Sequence, residues 1–203
     1  MQYAIGAEPE VKTVKIGSQV WMMENLNTST FRNGDLIAEA KTNAEWIKAG
    51  EEGRPAWCYY GNDQNNGVKY GKLYNWYAVS DNRGLAPKGW HVPSASDWTI
   101  LIKYLGGNCS STCGKMKATI GWDSNCNESN NESGFTGLPG GWRKDGRFDG
   151  SAEFYGIGFA APFWCTNEYS YCAWTLDLRC DHQIWWWHDH SKVCGISVRC
   201  IKD

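Results

Sequence analysis

The first apolar positions of the chain alternate with polar ones and predict a β-hairpin. Val14 and Ile16 alternate with Lys15, and Val20 and Met22 continue this spacing after residues 17–18, which is the period of a half-buried strand. Gly17 and Ser18 lie between the two runs and suit a two-residue turn that has glycine first. We therefore expect two antiparallel strands near the start of the chain.

A second pattern, "PSASDWTILIKYLGG", predicts the main helix over residues 94–105. Ser94 suits the N-cap, and Asp97 stands at the position from which a capping box closes. Gly106 is expected to end the helix. Apolar residues recur at i, i+3, i+4 and i+7, so one face should be core: Trp98, Leu101, Ile102 and Leu105.

Other segments carry weaker patterns. "LYNWYAVSD" predicts an aromatic helix over residues 74–80, and "NAEWIKAG" predicts a short helical turn that ends at Gly50. "GNDQNNG" at residues 61–67 is polar and bounded by glycine, so it predicts a loop. From Phe135 onward, short apolar runs alternate with glycine and predict short strands joined by turns.

Together these patterns predict an α+β fold in a single domain over residues 1–203, because the sequence shows no linker and no second core. Two main helices should pack on short, twisted antiparallel strands, with many loops between them. Residues 1–10 are interpreted as a tail or as an artificial start of the chain.

Composition narrows the classes of partner. The net charge is −2 and the basic residues are spread out, so we expect no nucleic-acid partner and no attraction to anionic lipid. No apolar run approaches the roughly 18 residues of a membrane span, and "MQYAIGAEPE" lacks the basic start and apolar core of a secretory signal. The 13 Trp and 10 Tyr are typical of recognition surfaces. The nine Cys are odd in number and irregularly spaced, which leaves disulfide pairing open.

Seven phrases follow one another along the chain: "QVWMMENLN", "CYYGND", "YGKLYNWYAV", "APKGWHVPSASDW", "GFTGLPGGWRKDG", "FW" and "GISVRC". Over residues 14–202 they resemble the Fibrobacter succinogenes major paralogous domain. That domain is similar to the formylglycine-generating-enzyme subtype of the C-type lectin-like fold. The resemblance implies a bacterial or phage-encoded surface domain of this fold.

The same resemblance implies a likeness to variable target proteins of diversity-generating retroelements. In those proteins adenine-directed mutagenesis rewrites codons near the C-terminus, and the fold displays the altered side chains to a ligand. Mutation of both adenines in an AAC codon can yield, among others, Asn, Tyr, Cys, Asp, His, Ser, Thr or Arg, and these residue types recur between framework-like residues here. The resulting ligand-binding prediction comprises Asn167, Tyr169, Tyr171, Cys172, Thr175, Asp177, Arg179, Asp181, His182, Trp185, Trp187, His188, Asp189 and His190.

Tryptophan lies outside the AAC explanation, so the tryptophans need a separate interpretation. Strand alternation predicts that Trp186 points into the core, whereas Trp185 and Trp187 are at least partly displayed. Six other tryptophans are predicted to be core: Trp21, Trp76, Trp90, Trp98, Trp142 and Trp164. His91 in "GWHVP" is interpreted as a framework residue.

Metal binding and catalysis are alternative interpretations of the same stretch. "HDH" at residues 188–190, with His182 and Cys180, supplies good ligands, but the spacing matches no zinc motif, so we predict no metal and no cofactor. The formylglycine-generating enzymes use paired Cys, and Cys194 and Cys200 invite the comparison. Cys200 alternates with Ile196 and Val198, however, and reads as a small buried hydrophobe. Cys180 and His182 lack an orienting third group, so we predict no catalytic residues.

The sequence therefore favours a non-catalytic domain that binds a protein or glycan receptor and works as an adhesin at a cell surface, outside the cell or on a phage virion. One alternative is a carbohydrate-binding or structural bacterial surface domain without programmed diversity. Another is a metal- or thiol-dependent enzyme.

Overall fold

In the computed structural model, the described residues are 11–126, 129–181, 184–186 and 190–203. Within these ranges the helices are α1 (Asn43–Glu51), α2 (Gln64–Tyr70), α3 (Trp76–Val79), α4 (Ala95–Leu105) and α5 (Ser110–Met116), with a 3₁₀ turn at Tyr60–Asn62. The strands are β1 (Thr13–Ile16), β2 (Gln19–Met22), β3 (Ala38–Glu39), β4 (Ala56–Cys58), β5 (Leu73–Tyr74), β6 (Trp90–His91), β7 (Gly140–Arg143), β8 (Phe154–Ile157), β9 (Ala160–Tyr169), β10 (Cys172–Arg179), β11 (Ile184–Trp186), β12 (His190–Ser191), β13 (Ile196–Ser197) and β14 (Ile201–Lys202).

The strands form three sheets of different size. The largest has the order β11-β10-β9-β13-β5-β4-β3, and β12 also pairs with β10. The second has the order β1-β2-β14-β6, and the third consists of β7 and β8 alone. The helices precede most of the strands of the large sheet along the chain, so the α+β prediction is confirmed.

The predicted hairpin is present, and it pairs with the last strand of the chain. β1 and β2 pair antiparallel around Gly17, whose φ of 60° is readily adopted by glycine. The last strand, β14, then lies between β2 and β6, with Ile201 opposite Trp21. The two ends of the described chain are therefore neighbours in one sheet.

Helix α4 forms as the capping residues predict. The Ser94 side chain accepts from the Asp97 N–H, the Asp97 carboxylate accepts from the Ser94 N–H, and the helix ends at Gly106. All four predicted core residues of this helix are buried. They share a core with Phe163, Leu176 and Leu178, which lie on β9 and β10.

Two local predictions need correction, and one helix was not predicted. The predicted loop at residues 61–67 is a 3₁₀ turn followed by α2, because Asp63 caps the helix and its Oδ1 accepts from the Asn65 N–H at 2.9 Å. The predicted helix over residues 74–80 is shorter, since the sheet recruits Leu73 and Tyr74 into β5, and α3 begins after Asn75. Helix α5 was not predicted from the sequence.

Four of the six tryptophans predicted to be core are buried: Trp21, Trp76, Trp98 and Trp164. Trp90 and Trp142 are half-buried and pack against a core cluster, so the prediction is confirmed only in part for both. Each tryptophan lies on a strand that has a neighbouring strand on one side only. Trp90 is on the edge strand β6, and Trp142 is in the two-stranded sheet.

Candidate functional site

The β9–β10 hairpin has a buried part and an exposed tip. We use the word frame for the buried residues that hold the fold together. In β9, every residue from Ala160 to Cys165 is buried, whereas the outer end of the strand emerges into solvent. Ser170 turns the chain with φ at 51°. Tyr169 and Tyr171 flank this turn, and their exposed fractions are 70% and 74%. The structure thus places two predicted contact residues in solvent at one end of the large sheet.

Three other predicted contact residues are buried, namely Cys172, Thr175 and Asp177. They belong to β10, which pairs with β9 on one side and with β11 and β12 on the other. Helix α5 also contacts β10. The prediction that these three side chains are displayed is wrong, because a covered interior strand buries both of its faces.

Asn167 has a structural partner. Its Oδ1 accepts from the backbone N–H of Ala95 at 2.8 Å, and the side chain is half-buried. Ala95 is the first residue of α4, where backbone N–H groups have no partner inside the helix. Asn167 therefore joins the hairpin to the main helix.

Arg179 and Asp181 lie at the other end of β10. Arg179 is half-buried, its guanidinium lies 5.1 Å from the centre of the Phe159 ring, and its Nε lies 3.8 Å from Oδ2 of the exposed Asp181. We use the name contact face for four predicted contact residues that reach solvent in the described part of the chain, two beside each end of β10: Tyr169, Tyr171, Arg179 and Asp181.

His190 is held beneath the surface by charged and aromatic neighbours. Its Nε2 lies 3.6 Å from Oδ2 of Asp177, and the rings of Trp142 and Trp164 lie 6.1 Å and 6.4 Å away. Burial lowers the pKa of His190, but Asp177 and then Cys194 outweigh it and raise the pKa to about 10. His190 therefore carries a positive charge at neutral pH and is anchored to the frame.

The remaining predicted contact residues lie outside the described residues: His182, Trp187, His188 and Asp189. The backbones of Trp185 and Trp186 are in β11, opposite Asp177 and Leu176. Their side chains lie outside the description, so the prediction that one is core and the others displayed stays a prediction.

A disulfide joins Cys126 to Cys180 at the end of β10. This resolves part of the pairing that the sequence left open. It also removes the Cys180 thiol as a partner for His182 in a nucleophilic pair. Cys194 and Cys200 are both buried, and burial raises the pKa of the Cys200 thiol to about 12, opposite to the shift that a thiolate nucleophile needs.

No group of three His, Cys, Asp or Glu side chains suited to a metal ion occurs among the residues that the structure describes. His182 and His188, two of the ligands considered from the sequence, lie outside this part of the chain. In the same part of the chain, none of the helices is long and apolar enough to cross a bilayer.

The loop between β7 and β8 contributes residues that sequence reasoning missed. Arg147 donates to Asp145 at 2.7 Å and to Ser191 Oγ at 3.2 Å, and Ser191 Oγ in turn donates to Asp145. This network ties the loop to β12 and leaves Phe148 93% exposed. In the sequence, "GRFDG" belongs to the short apolar runs that alternate with glycine and predict strands joined by turns, and that pattern does not mark its phenylalanine as exposed.

Comparison with known proteins identifies the family. The model of the Fibrobacter succinogenes major domain matches residues 14–202. The chain belongs to this family. No curated protein and no solved structure matches it. The sequence phrases that resemble this family lie in helices as well as in sheets. The family pattern therefore extends over most of the fold.

Proposed function

We propose that this chain is a non-catalytic receptor-binding domain with the C-type lectin-like fold of the formylglycine-generating-enzyme subtype. The observation that carries the proposal is the sharp boundary in the β9–β10 hairpin between a buried frame and two exposed tyrosines. Tyrosine is favoured at recognition surfaces because its rigid ring gives much contact area at little entropic cost. Membership of the family and the packing of α4 on β9 and β10 support the fold assignment.

The charges around the contact face support a binding role. Arg179 lies near Asp181, and Lys192 contacts Glu168 with 2.5 Å between Nζ and Oε2. At the end of the hairpin that carries Tyr169 and Tyr171, the Lys192–Glu168 pair leaves the aromatic rings as the dominant feature. Such a surface suits a protein or glycan receptor and does not suit a nucleic acid, whose affinity comes mainly from unpaired basic residues.

We propose an extracellular location, at a cell surface or on a phage virion. The Cys126–Cys180 disulfide supports this location, because disulfides persist mainly in oxidising compartments. The role would then be that of an adhesin or of a phage receptor-binding protein.

We further propose that a diversity-generating retroelement varies the exposed positions. Tyr169, Tyr171, Arg179 and Asp181 are of types that a mutated AAC codon yields. In the flanking DNA we expect a reverse transcriptase gene and a near-identical template repeat that differs at adenines. Without that repeat, the alternative of a carbohydrate-binding or structural surface domain lacking programmed diversity would be favoured.

Two matched display libraries test the binding proposal. The first randomises Tyr169, Tyr171 and Asp181, and the second randomises Cys172, Thr175 and Asp177 in the neighbouring frame. Each is sorted for protease resistance and then for binding to a panel of unrelated soluble proteins. We expect the first library to stay folded and to yield binders, while most members of the second unfold. A first library that loses protease resistance, or that folds and yields no binder, would contradict the proposal.

A further inference from the structure

The β7–β8 hairpin carries a tyrosine, Tyr155, whose ring lies beside another aromatic ring and is partly exposed to solvent. Tyr155 on β8 lies opposite Trp142 on β7, with ring centres 6.1 Å apart and an angle of 28° between the ring planes. Trp142 in turn lies 6.1 Å from the ring of His190, and His190 lies 6.4 Å from the ring of buried Trp164. A row of rings thus runs from Tyr155 at the surface into the core.

Two local features fix the position of Tyr155. Its hydroxyl donates to the Glu153 carboxylate at 2.9 Å. The indole of Trp142 packs directly over Gly156, where a Cβ would lie only 2.3 Å from Trp142 Cζ3. Glycine at position 156 is therefore needed for the indole to back the tyrosine ring. Tyr155 has 40% of its surface exposed, so part of this positioned ring is in contact with solvent.

The charges of this hairpin are mostly paired within it. Lys144 contacts Asp149, and Arg147 contacts Asp145 at 2.7 Å. The exposed carboxylate of Glu153 contacts Tyr155 and accepts from its hydroxyl. An anionic ligand would meet this carboxylate and be repelled, whereas hydroxyl groups could donate to it.

We propose that Tyr155, backed by Trp142 and flanked by Glu153, is a binding platform for an uncharged sugar ring. The C–H face of a pyranose is apolar and would stack on the open face of Tyr155, while a sugar hydroxyl donates to Glu153. The platform lies outside the contact face, and its link to the receptor-binding role rests on the proposed function. It would add a fixed glycan contact beside a surface of variable specificity.

The test measures binding of soluble neutral oligosaccharides built from glucose, mannose, galactose or N-acetylglucosamine, with oligogalacturonate as an anionic arm. Saturation-transfer NMR identifies a binder, and titration calorimetry gives its affinity. We expect a neutral oligosaccharide to bind, and Tyr155→Ala and Tyr155→Leu to weaken it by about tenfold or more. Tyr155→Phe keeps the flat ring and should lose at most about threefold. Tyr104→Ala, at an exposed tyrosine outside the hairpin and outside the contact face, should leave the affinity unchanged.

Several outcomes would overturn the platform. These are no binding by any neutral member of the panel, binding of the anionic arm instead, and binding that survives both Tyr155→Ala and Tyr155→Leu. Neutral sugar binding that is lost with Tyr169→Ala would place the sugar on the contact face and also overturn the platform. The display libraries leave Tyr155 unchanged, so their result stands or fails separately.

Discussion

At the scale of single residues, Asn167 shows that residue type alone does not separate a contact surface from a frame. Asparagine is typical of variable positions, yet this side chain caps the first turn of α4. Its partner, Ala95, lies 72 residues earlier in the chain, and no local pattern announces such a pairing. The buried Cys172, Thr175 and Asp177 make the same point, because their burial depends on strands and a helix that are distant in sequence.

Replacement of Asn167 should therefore affect stability. Asn167→Ala removes the acceptor for the Ala95 N–H, and by analogy with helix caps we expect a loss of about 1 kcal/mol in the free energy of unfolding. Asn167→Asp keeps an acceptor and should retain most of that stability. Urea denaturation of the three proteins measures the difference. If the alanine variant and the unaltered protein are equally stable, Asn167 has no structural role at α4 and is again a candidate contact residue.

His190 gives a second prediction at this scale, from its raised pKa. Among the described residues, Asp177 and Cys194 face its imidazole, which lies between the rings of Trp142 and Trp164. Because the folded pKa of about 10 lies above the unfolded value of about 6.5, the stabilisation is complete below pH 6.5 and is lost as the pH rises through 10. Over that window the free energy of unfolding should fall by about 1.4 kcal/mol per pH unit from this group.

Asp177→Asn removes the carboxylate and should flatten this dependence. Denaturation at a series of pH values between 7 and 9, with the variant as reference, isolates the contribution of the pair from that of other titrating groups. NMR titration of the His190 imidazole measures its pKa directly. A midpoint near that of an ordinary histidine would show that the ion pair does not form.

At the scale of secondary structure, prediction succeeded where caps and periodicity agree. Helix α4 has both, so its start and its buried face follow from the sequence. Helix α2 contains glycine and asparagine, which have low helix propensity, and it forms because tertiary contacts outweigh that preference. Tyr70 is buried, and Gly67 packs so closely on Tyr59 that a Cβ would lie 2.1 Å from Tyr59 Cε1. Such a contact cannot be read from the local pattern.

Leu101 tests the buried face of α4. It is fully buried with Trp98 and Phe163, so Leu101→Ala should lower the free energy of unfolding by about 2–5 kcal/mol through lost burial and a cavity. Ile100 is the preceding residue of the same helix and is exposed, so Ile100→Ala is the matched control and should change stability by less than about 0.5 kcal/mol. Thermal melting of both variants compares them. Equal melting temperatures would mean that the helix faces the sheet differently.

At the scale of the whole molecule, the frame depends on links between distant parts of the chain. Arg199 is fully buried and donates to the backbone oxygens of Met22 and Phe135, which ties the C-terminal segment to β2 and to the middle of the chain. The disulfide between Cys126 and Cys180 spans 54 residues and ends where the contact face begins at Arg179 and Asp181. The sequence indicated the family and its ordered phrases, but with nine cysteines of irregular spacing it offered no basis for choosing this pair.

The disulfide should therefore stabilise the whole domain. By restricting the unfolded chain, a link of this length typically contributes about 2–4 kcal/mol, and paired replacement Cys126→Ser and Cys180→Ser should remove that contribution. In a domain of this size the melting temperature should fall by several degrees, about 2–4 °C for each kcal/mol. Cys109→Ser, at an exposed cysteine outside the disulfide, is the control and should melt like the unaltered protein. A reducing agent should lower the melting temperature of the unaltered protein to that of the double variant and leave the variant unchanged. If the double variant melts with the unaltered protein under oxidising conditions, the link between Cys126 and Cys180 does not support the frame.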